Sequence, residues 1–194
     1  SVGCVVVKNK EIISVGQTGF NGTPHAEVDA LNKAKSKAIG ATLYVSLEPC
    51  SHYGKTPPCT EKIISSGIKK IVIGAVDPNP KHSGRAFRIF KKHGIEVCKG
   101  VLVDQVNELN AAFCHWVKSE MPYITLKSAM TLDGKIATSS GESKWITGQL
   151  ARRKSLRLRA GSDAILVGVN TILEDDPSLL ARDKRRGVSL RRII

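Results

Sequence analysis

Apolar and polar positions follow two repeating patterns along this chain. Residues 3–7 and 11–15 are apolar-rich runs on either side of Asn9-Lys10, the pattern of two short strands joined by a turn. Over residues 26–37, Ala26, Ala30, Leu31 and Ala34 recur at helical spacing, while Lys33, Lys35 and Lys37 point outward. That predicts an amphipathic helix, ended by Gly40. A strand follows at 42–47, then a short helix at 60–66 stopped by Gly67, then a buried strand at 70–76 closed by Asp77-Pro78-Asn79-Pro80. Residues 84–93 read as helix and 95–99 as strand. Residues 104–118 read as one helix with apolar positions at Val106, Leu109, Ala112, Phe113 and Trp116. Strands alternating with helices predict an α/β layered fold on a mostly parallel central sheet.

The pattern restarts after Ser119-Glu120-Met121-Pro122, a short linker. Residues 123–129 alternate like a strand, 149–159 read as a basic helix, and 164–168 as a second buried strand. Residues 170–173 begin a further turn or helix, and 188–194 are strand-like. So short a unit buries too little surface to stand alone and reads as the first half of something larger. The chain opens without Met at a strand-like run, as a fragment would. It carries no internal repeat and no low-complexity tract.

Composition narrows the field. Hydrophobic residues are 41% and charged residues 24% of 194, which excludes wholesale disorder. The longest apolar runs, 3–7 and 164–169, fall far short of the roughly 20 residues that span a bilayer. The N-terminus shows no signal-peptide pattern. The net charge is +13, spread evenly: residues 1–118 hold 16 basic and 9 acidic residues, residues 119–194 hold 14 and 8. A Lys-rich surface, a site for anionic small molecules and a nucleic-acid surface all fit that charge. Aromatics at 5% are thin for stacking on single strands. Five cysteines (Cys4, Cys50, Cys59, Cys98, Cys114) at wide spacing argue against a disulfide framework and for a reducing, cytoplasmic setting. Cys4, Cys98 and Cys114 fall in or near predicted core elements.

The sharpest chemical feature is His25-Ala26-Glu27 followed by Pro49-Cys50 and Cys59. His25 and Glu27 sit at a predicted helix start, Cys50 after a strand, and Cys59 at the opening of the next helix. One imidazole and two thiolates give zinc three protein ligands and leave its fourth position open, the arrangement of a catalytic site. Helix N-termini also favour thiolates. Glu27, two residues after the candidate ligand, reaches the open side of the metal. There it can take a proton from water and deliver it to a ring nitrogen and to departing ammonia. A His-x-Glu with Pro-Cys and a second Cys is the signature of zinc deaminases, although here the cysteines are separated by eight residues rather than two. Within that insertion Gly54 allows a tight turn, and Pro57 and Pro58 stiffen the return to Cys59. His52 and Lys55 are either a solvated loop face or an anion clamp for a substrate phosphate.

Three stretches carry a family resemblance: His25-Ala26-Glu27, Leu47-Glu48-Pro49-Cys50-Ser51-His52-Tyr53-Gly54-Lys55-Thr56-Pro57-Pro58-Cys59, and Gly74-Ala75-Val76-Asp77-Pro78-Asn79-Pro80. They closely resemble the bifunctional riboflavin-biosynthesis deaminase–reductases. Residues 128–137, 140–147 and 168–182 resemble the opening of that family's reductase domain. The resemblance implies a cytidine-deaminase-like three-layer α/β/α domain at 1–118. The first part of a dihydrofolate-reductase-like α/β domain follows at 122–194. Ser1-Val2-Gly3 resembles the end of the family's Pro-Asn-Pro-x-Val-Gly lead-in, so a preceding helix and a substrate-contacting Asn are expected to be missing.

By the same resemblance, Zn2+ is held by His25, Cys50 and Cys59, Glu27 is the catalytic proton shuttle, and His52 and Lys55 bind the deaminase substrate. Ala129, Trp145, Thr171 and Asp175 would touch NADPH, while Ser143, Arg159, Leu179 and Arg182 would touch the reductase substrate. Each also has a plain structural reading: Trp145 as core filler, Asp175-Asp176-Pro177 as a turn, Arg159 as helix surface. The family closes its cofactor site with a later glycine-rich turn that has no counterpart before Ile194, so reduction by this stretch alone is not expected. The implied partner is a phosphoribosylated pyrimidine, in a homo-oligomer without nucleic acid or membrane. Two other functions compete: a zinc deaminase acting on a base in tRNA or on a free nucleoside, and a module in which zinc only staples the fold.

Overall fold

The computed structural model describes residues 2–19, 22–54, 56–80, 82–180 and 190–194. The chain divides into two compact units, Ser1–Ile124 and Thr125–Ile194.

In the first unit, β1 (Gly3–Lys8) and β2 (Glu11–Gln17) form a hairpin. Asn9 and Lys10 both take positive φ, 53° and 66°, the turn whose twist matches that of the flanking strands. The chain then passes through α1 (Ala26–Ala34) and a 3₁₀ turn (Lys35–Ala38) to β3 (Thr42–Leu47). Next come α2 (Cys59–Ser65), β4 (Lys70–Ala75), α3 (Arg85–Lys92) and β5 (Glu96–Lys99). The strand order is β2-β1-β3-β4-β5. β3, β4 and β5 are parallel, whereas β1 is antiparallel to both its neighbours. The sheet is therefore half antiparallel rather than mostly parallel. The tight turn reverses the first pair, and the α1 crossover carries the chain past β1 to its other side.

One sheet face presents Cys4, Val6, Leu43, Val45, Ile71 and Ile73 to Ala30 and Leu31 of α1, Ile63 of α2 and Phe90 of α3. A Cβ on Gly16 would overlap Ala26 O and Ala30 N, so glycine there lets α1 lie directly on β2. Ser14 Oγ donates to Ala30 O at 2.8 Å and locks that contact. The opposite face carries α4 (Val103–Leu109): a Cβ on Gly74 would stand 2.8 Å from Val106 Cγ2. The unit is thus three-layered, with α1, α2 and α3 on one side.

The helix expected over 104–118 is two helices, α4 and α5 (Ala111–Ser119). They part at Asn110, whose φ and ψ are −108° and 18°. Its buried side-chain amide donates to Val106 O at 3.2 Å, the local competition with helix continuation that asparagine favours. Of the three cysteines outside the metal pattern, only Cys4 is core. Cys98 is exposed and Cys114 half-buried. Burial, reinforced by Glu27 and Asp29, pushes the Cys4 thiol well above the ordinary cysteine range, so it is inert filler.

The second unit contains α6 (Gln149–Ala160), β6 (Ala164–Leu166), α7 (Val169–Asp175) and β7 (Arg191–Ile193), with β6 and β7 pairing in parallel. The strand expected at 123–129 does not form, and no partner strand among the described residues offers it a ladder. The strand expected at 164–168 is shorter and not buried, since Leu166 is 72% exposed. A two-stranded sheet has too few neighbours to cover it. The run at 188–194 keeps strand only at Arg191–Ile193, and residues 188 and 189 lie outside the described residues. Among the described residues, no helix is long and apolar enough to cross a membrane.

Candidate metal centre and active site

Two helix starts and one strand end build the site. His25 directly precedes α1 with extended backbone, φ −68° and ψ 153°. Pro58, with φ −65° and ψ 140°, is the N-cap of α2 and makes Cys59 its first residue; lacking an N–H, it cannot extend the helix's hydrogen bonding backward. Cys50 follows the end of β3 by way of Glu48-Pro49. The ligand atoms of His25, Cys50 and Cys59 lie within 4.8 Å of one another. His25 Nδ1 stands 3.2 Å from Cys59 Sγ and 3.5 Å from Cys50 Sγ. Bonds of about 2.0 Å to nitrogen and 2.3 Å to sulfur give a tetrahedral zinc site N···S edges of about 3.5 Å. The three donors therefore fit a single zinc ion.

Local electrostatics prepare the sulfurs. The Cys59 backbone N–H donates to Cys50 Sγ at 3.2 Å, and the Thr60 N–H donates to Cys50 O. The Cys50 thiol is lowered to about 5, first because the Cys59 side chain hydrogen-bonds its thiolate, then through the Cys59 N–H and His25, against the opposing effect of burial. The same bond, with burial, pushes Cys59 up. The bare pair holds one negative charge readily, and a bound cation stabilises the second.

Glu27 is 4% exposed and stands beside this cluster. Burial holds its carboxyl above the ordinary carboxylate value, with Cys50 adding to the rise. Backbone hydrogen bonding, His25 and a side-chain hydrogen bond with Cys59 oppose it. The metal-donor group among the described residues does not include Glu27.

Sequence reasoning passed over two residues here. Glu48, also 4% exposed, accepts hydrogen bonds from the N–H groups of Asp77 (3.3 Å), Gly84 (2.9 Å) and Ala86 (3.1 Å). It ties the segment after β4 and the start of α3 to the strand end that carries Cys50. An acidic residue closing an apolar strand immediately before Pro49-Cys50 was the available signal. The second is His82, whose ring lies 3.9 Å from that of His52 at an interplanar angle of 58°. Nothing in the sequence pattern marks His82. Lys55 lies outside the described residues.

In the second unit, Ser143, Thr171 and Asp175 line one cleft of about 660 Å³, together with Glu142, Lys144 and Glu174. Lys144 Nζ is paired with Asp175 Oδ1 at 3.1 Å. Ala129, Trp145, Arg159 and Leu179 do not line this cleft. Trp145 is 73% exposed rather than core, with the Arg152 guanidinium 4.3 Å from its ring centroid. The Arg159 guanidinium donates to Leu180 O at 3.4 Å, and Leu179 is buried. Arg182 lies outside the described residues.

Comparison with known proteins bears on both units. Residues 1–75 match the family model of the cytidine and deoxycytidylate deaminase zinc-binding region, and residues 122–194 that of the RibD C-terminal domain. The chain is 52% identical over 182 residues to the riboflavin biosynthesis protein RibD of Aquifex aeolicus, covering 94% of this chain and 51% of that protein. It is 47% identical to RibD of Escherichia coli, covering 94% and 50%. A solved diaminohydroxyphosphoribosylaminopyrimidine deaminase/5-amino-6-(5-phosphoribosylamino)uracil reductase from Thermotoga maritima superposes with a TM-score of 0.88 at 50% identity, covering 95% of this chain and 53% of that one. The chain spans about half the length of the curated relatives it matches.

Proposed function

We propose that the chain is part of a RibD-type riboflavin-biosynthesis protein, the kind it matches at 52% and 47% identity, and that its first unit is a zinc-dependent deaminase. Its substrate is 2,5-diamino-6-(5-phosphoribosylamino)pyrimidin-4(3H)-one. The observation that carries this reading is the convergence of His25, Cys50 and Cys59 with a buried carboxylate, Glu27, beside them. His25, Cys50 and Cys59 would hold a zinc ion through one imidazole nitrogen and two thiolates. Zinc held there would supply Lewis acidity and make water a better nucleophile near neutral pH. Glu27 takes a proton from the attacking water as its oxygen bonds to the amino-bearing ring carbon, and passes that proton to the adjacent ring nitrogen. It then carries the second proton to the leaving amine, so the carbon–nitrogen bond breaks with release of ammonia and formation of the ring carbonyl. Burial of Glu27 keeps bulk water from diverting these transfers.

His52 and Lys55, on the loop between the two cysteines, act as the clamp for the substrate's phosphate. The second unit is part of an NADPH-dependent 5-amino-6-(5-phosphoribosylamino)uracil reductase. Ala129, Trp145, Thr171 and Asp175 serve its cofactor, and Ser143, Arg159, Leu179 and Arg182 its substrate. The protein works in the cytoplasm as a homo-oligomer and uses neither nucleic acid nor membrane. The test is ammonia release by the zinc-loaded protein from the phosphoribosylated pyrimidine, with tRNA and free nucleosides in parallel. Turnover confined to the phosphorylated pyrimidine supports the reading; turnover confined to tRNA or to a free nucleoside replaces it.

A further inference from the structure

We propose that His82 is a positioning residue whose ring orients the His52 imidazole toward the substrate's phosphate. The proposal rests on the reading of His52 as a phosphate ligand. His52 is exposed on the loop between Cys50 and Cys59, two residues before Gly54. Among the described residues its side chain makes no hydrogen bond; what it does touch is the ring of His82, 3.9 Å away between centroids. A side chain placed so must lose rotamer freedom when it binds an anion, unless something already restricts it.

His82 is suited to that task. It is 7% exposed, and its Nδ1 is buried without a partner. Its Nδ1 makes no hydrogen bond, so what His82 offers His52 is the ring itself, tilted by 58° against the His52 imidazole. Its backbone is held on both sides: His82 N–H donates to Asn79 O, and Arg85 N–H donates to His82 O, each at 2.9 Å. The flanking Gly84 and Ala86 N–H groups are gripped by Glu48, two residues before Cys50. The platform under His52 is thereby fixed to the same strand end that carries the metal ligand. A phosphate bound at His52 is registered against the reacting ring through rigid backbone rather than through the loop alone.

The test compares His82→Leu, His82→Phe, His52→Ala and the His52→Ala/His82→Leu double variant. KM and kcat are measured on the phosphoribosylated pyrimidine and on its dephosphorylated form, with zinc content and circular dichroism recorded for each. Leucine and phenylalanine both fill the site, but only phenylalanine keeps a flat face. His82→Leu should raise KM for the phosphorylated substrate by roughly 3- to 10-fold, the range of an aromatic pair. It should leave kcat, zinc content and the KM of the dephosphorylated form unchanged. His82→Phe should stay near the parent, and the double variant should equal His52→Ala. Equal KM increases on both substrates, or the same increase with His52 already removed, would overturn the positioning role. If His52→Ala itself leaves the ratio of the two KM values unchanged, the phosphate reading of His52 falls and this proposal falls with it. If His52→Ala raises that ratio and His82→Leu does not, only the positioning role is lost.

Discussion

Nδ1 of His25 lies 3.2 Å from Sγ of Cys59, although 34 residues separate them. Cys50 joins them from the end of a third element. We expect one zinc per chain. Cys59→Ser should lose it in metal analysis of purified protein, whereas Cys98→Ser, on an exposed strand position, should keep it. The opposite pattern would disprove the ligand assignment.

Glu27→Gln preserves size but cannot take a proton. Zinc should remain bound while deamination falls by roughly 10²–10⁴, the usual contribution of general acid–base catalysis. A variant within a few-fold of the parent would remove Glu27 from the mechanism.

Glu48 serves three backbone donors at once, from Asp77, Gly84 and Ala86. Glu48→Ala leaves the buried Asp77 and Ala86 donors and the half-buried Gly84 donor without an acceptor and should cost about 2 kcal/mol or more in denaturant unfolding, given about 1–3 kcal/mol for each buried unsatisfied group. Because Glu48 lies two residues before Cys50, zinc should also dissociate faster than from the parent. A variant as stable as the parent would show that water replaces the carboxylate.

The cleft of the second unit presents Glu142, Glu174 and Asp175, and its Lys144 is engaged by Asp175. So acidic a lining suits other parts of the dinucleotide than its pyrophosphate, which is ordinarily received by backbone N–H groups at a helix N-terminus. Hydride transfer further requires cofactor and substrate held face to face. The 194-residue stretch alone should therefore not oxidise NADPH when given the deaminated substrate. Steady loss of NADPH absorbance with the purified chain would show that these residues suffice.

The sequence by itself determined the chemistry on offer and the class of fold. His25-Ala26-Glu27 and Pro49-Cys50 with Cys59 are readable because zinc hydrolysis restricts residue type and local spacing tightly. The alternation of β and α elements is readable because apolar periodicity is local. Asn9-Lys10 marks the hairpin, and the small residues Ala26, Ala30 and Ala34 mark the face of α1 that meets the sheet. What only the tertiary structure decided depends on partners remote in sequence. Whether residues 123–129 form a strand depends on a neighbouring strand, and none appears among the described residues. The break at Asn110 depends on its burial and its bond to Val106 O. β1 became antiparallel to β3 because the α1 crossover passes over it. Glu48 and His82 acquired their roles from backbone and rings about 30 residues or more away along the chain. Periodicity records which face of an element is buried; it holds no record of what another element brings to that face.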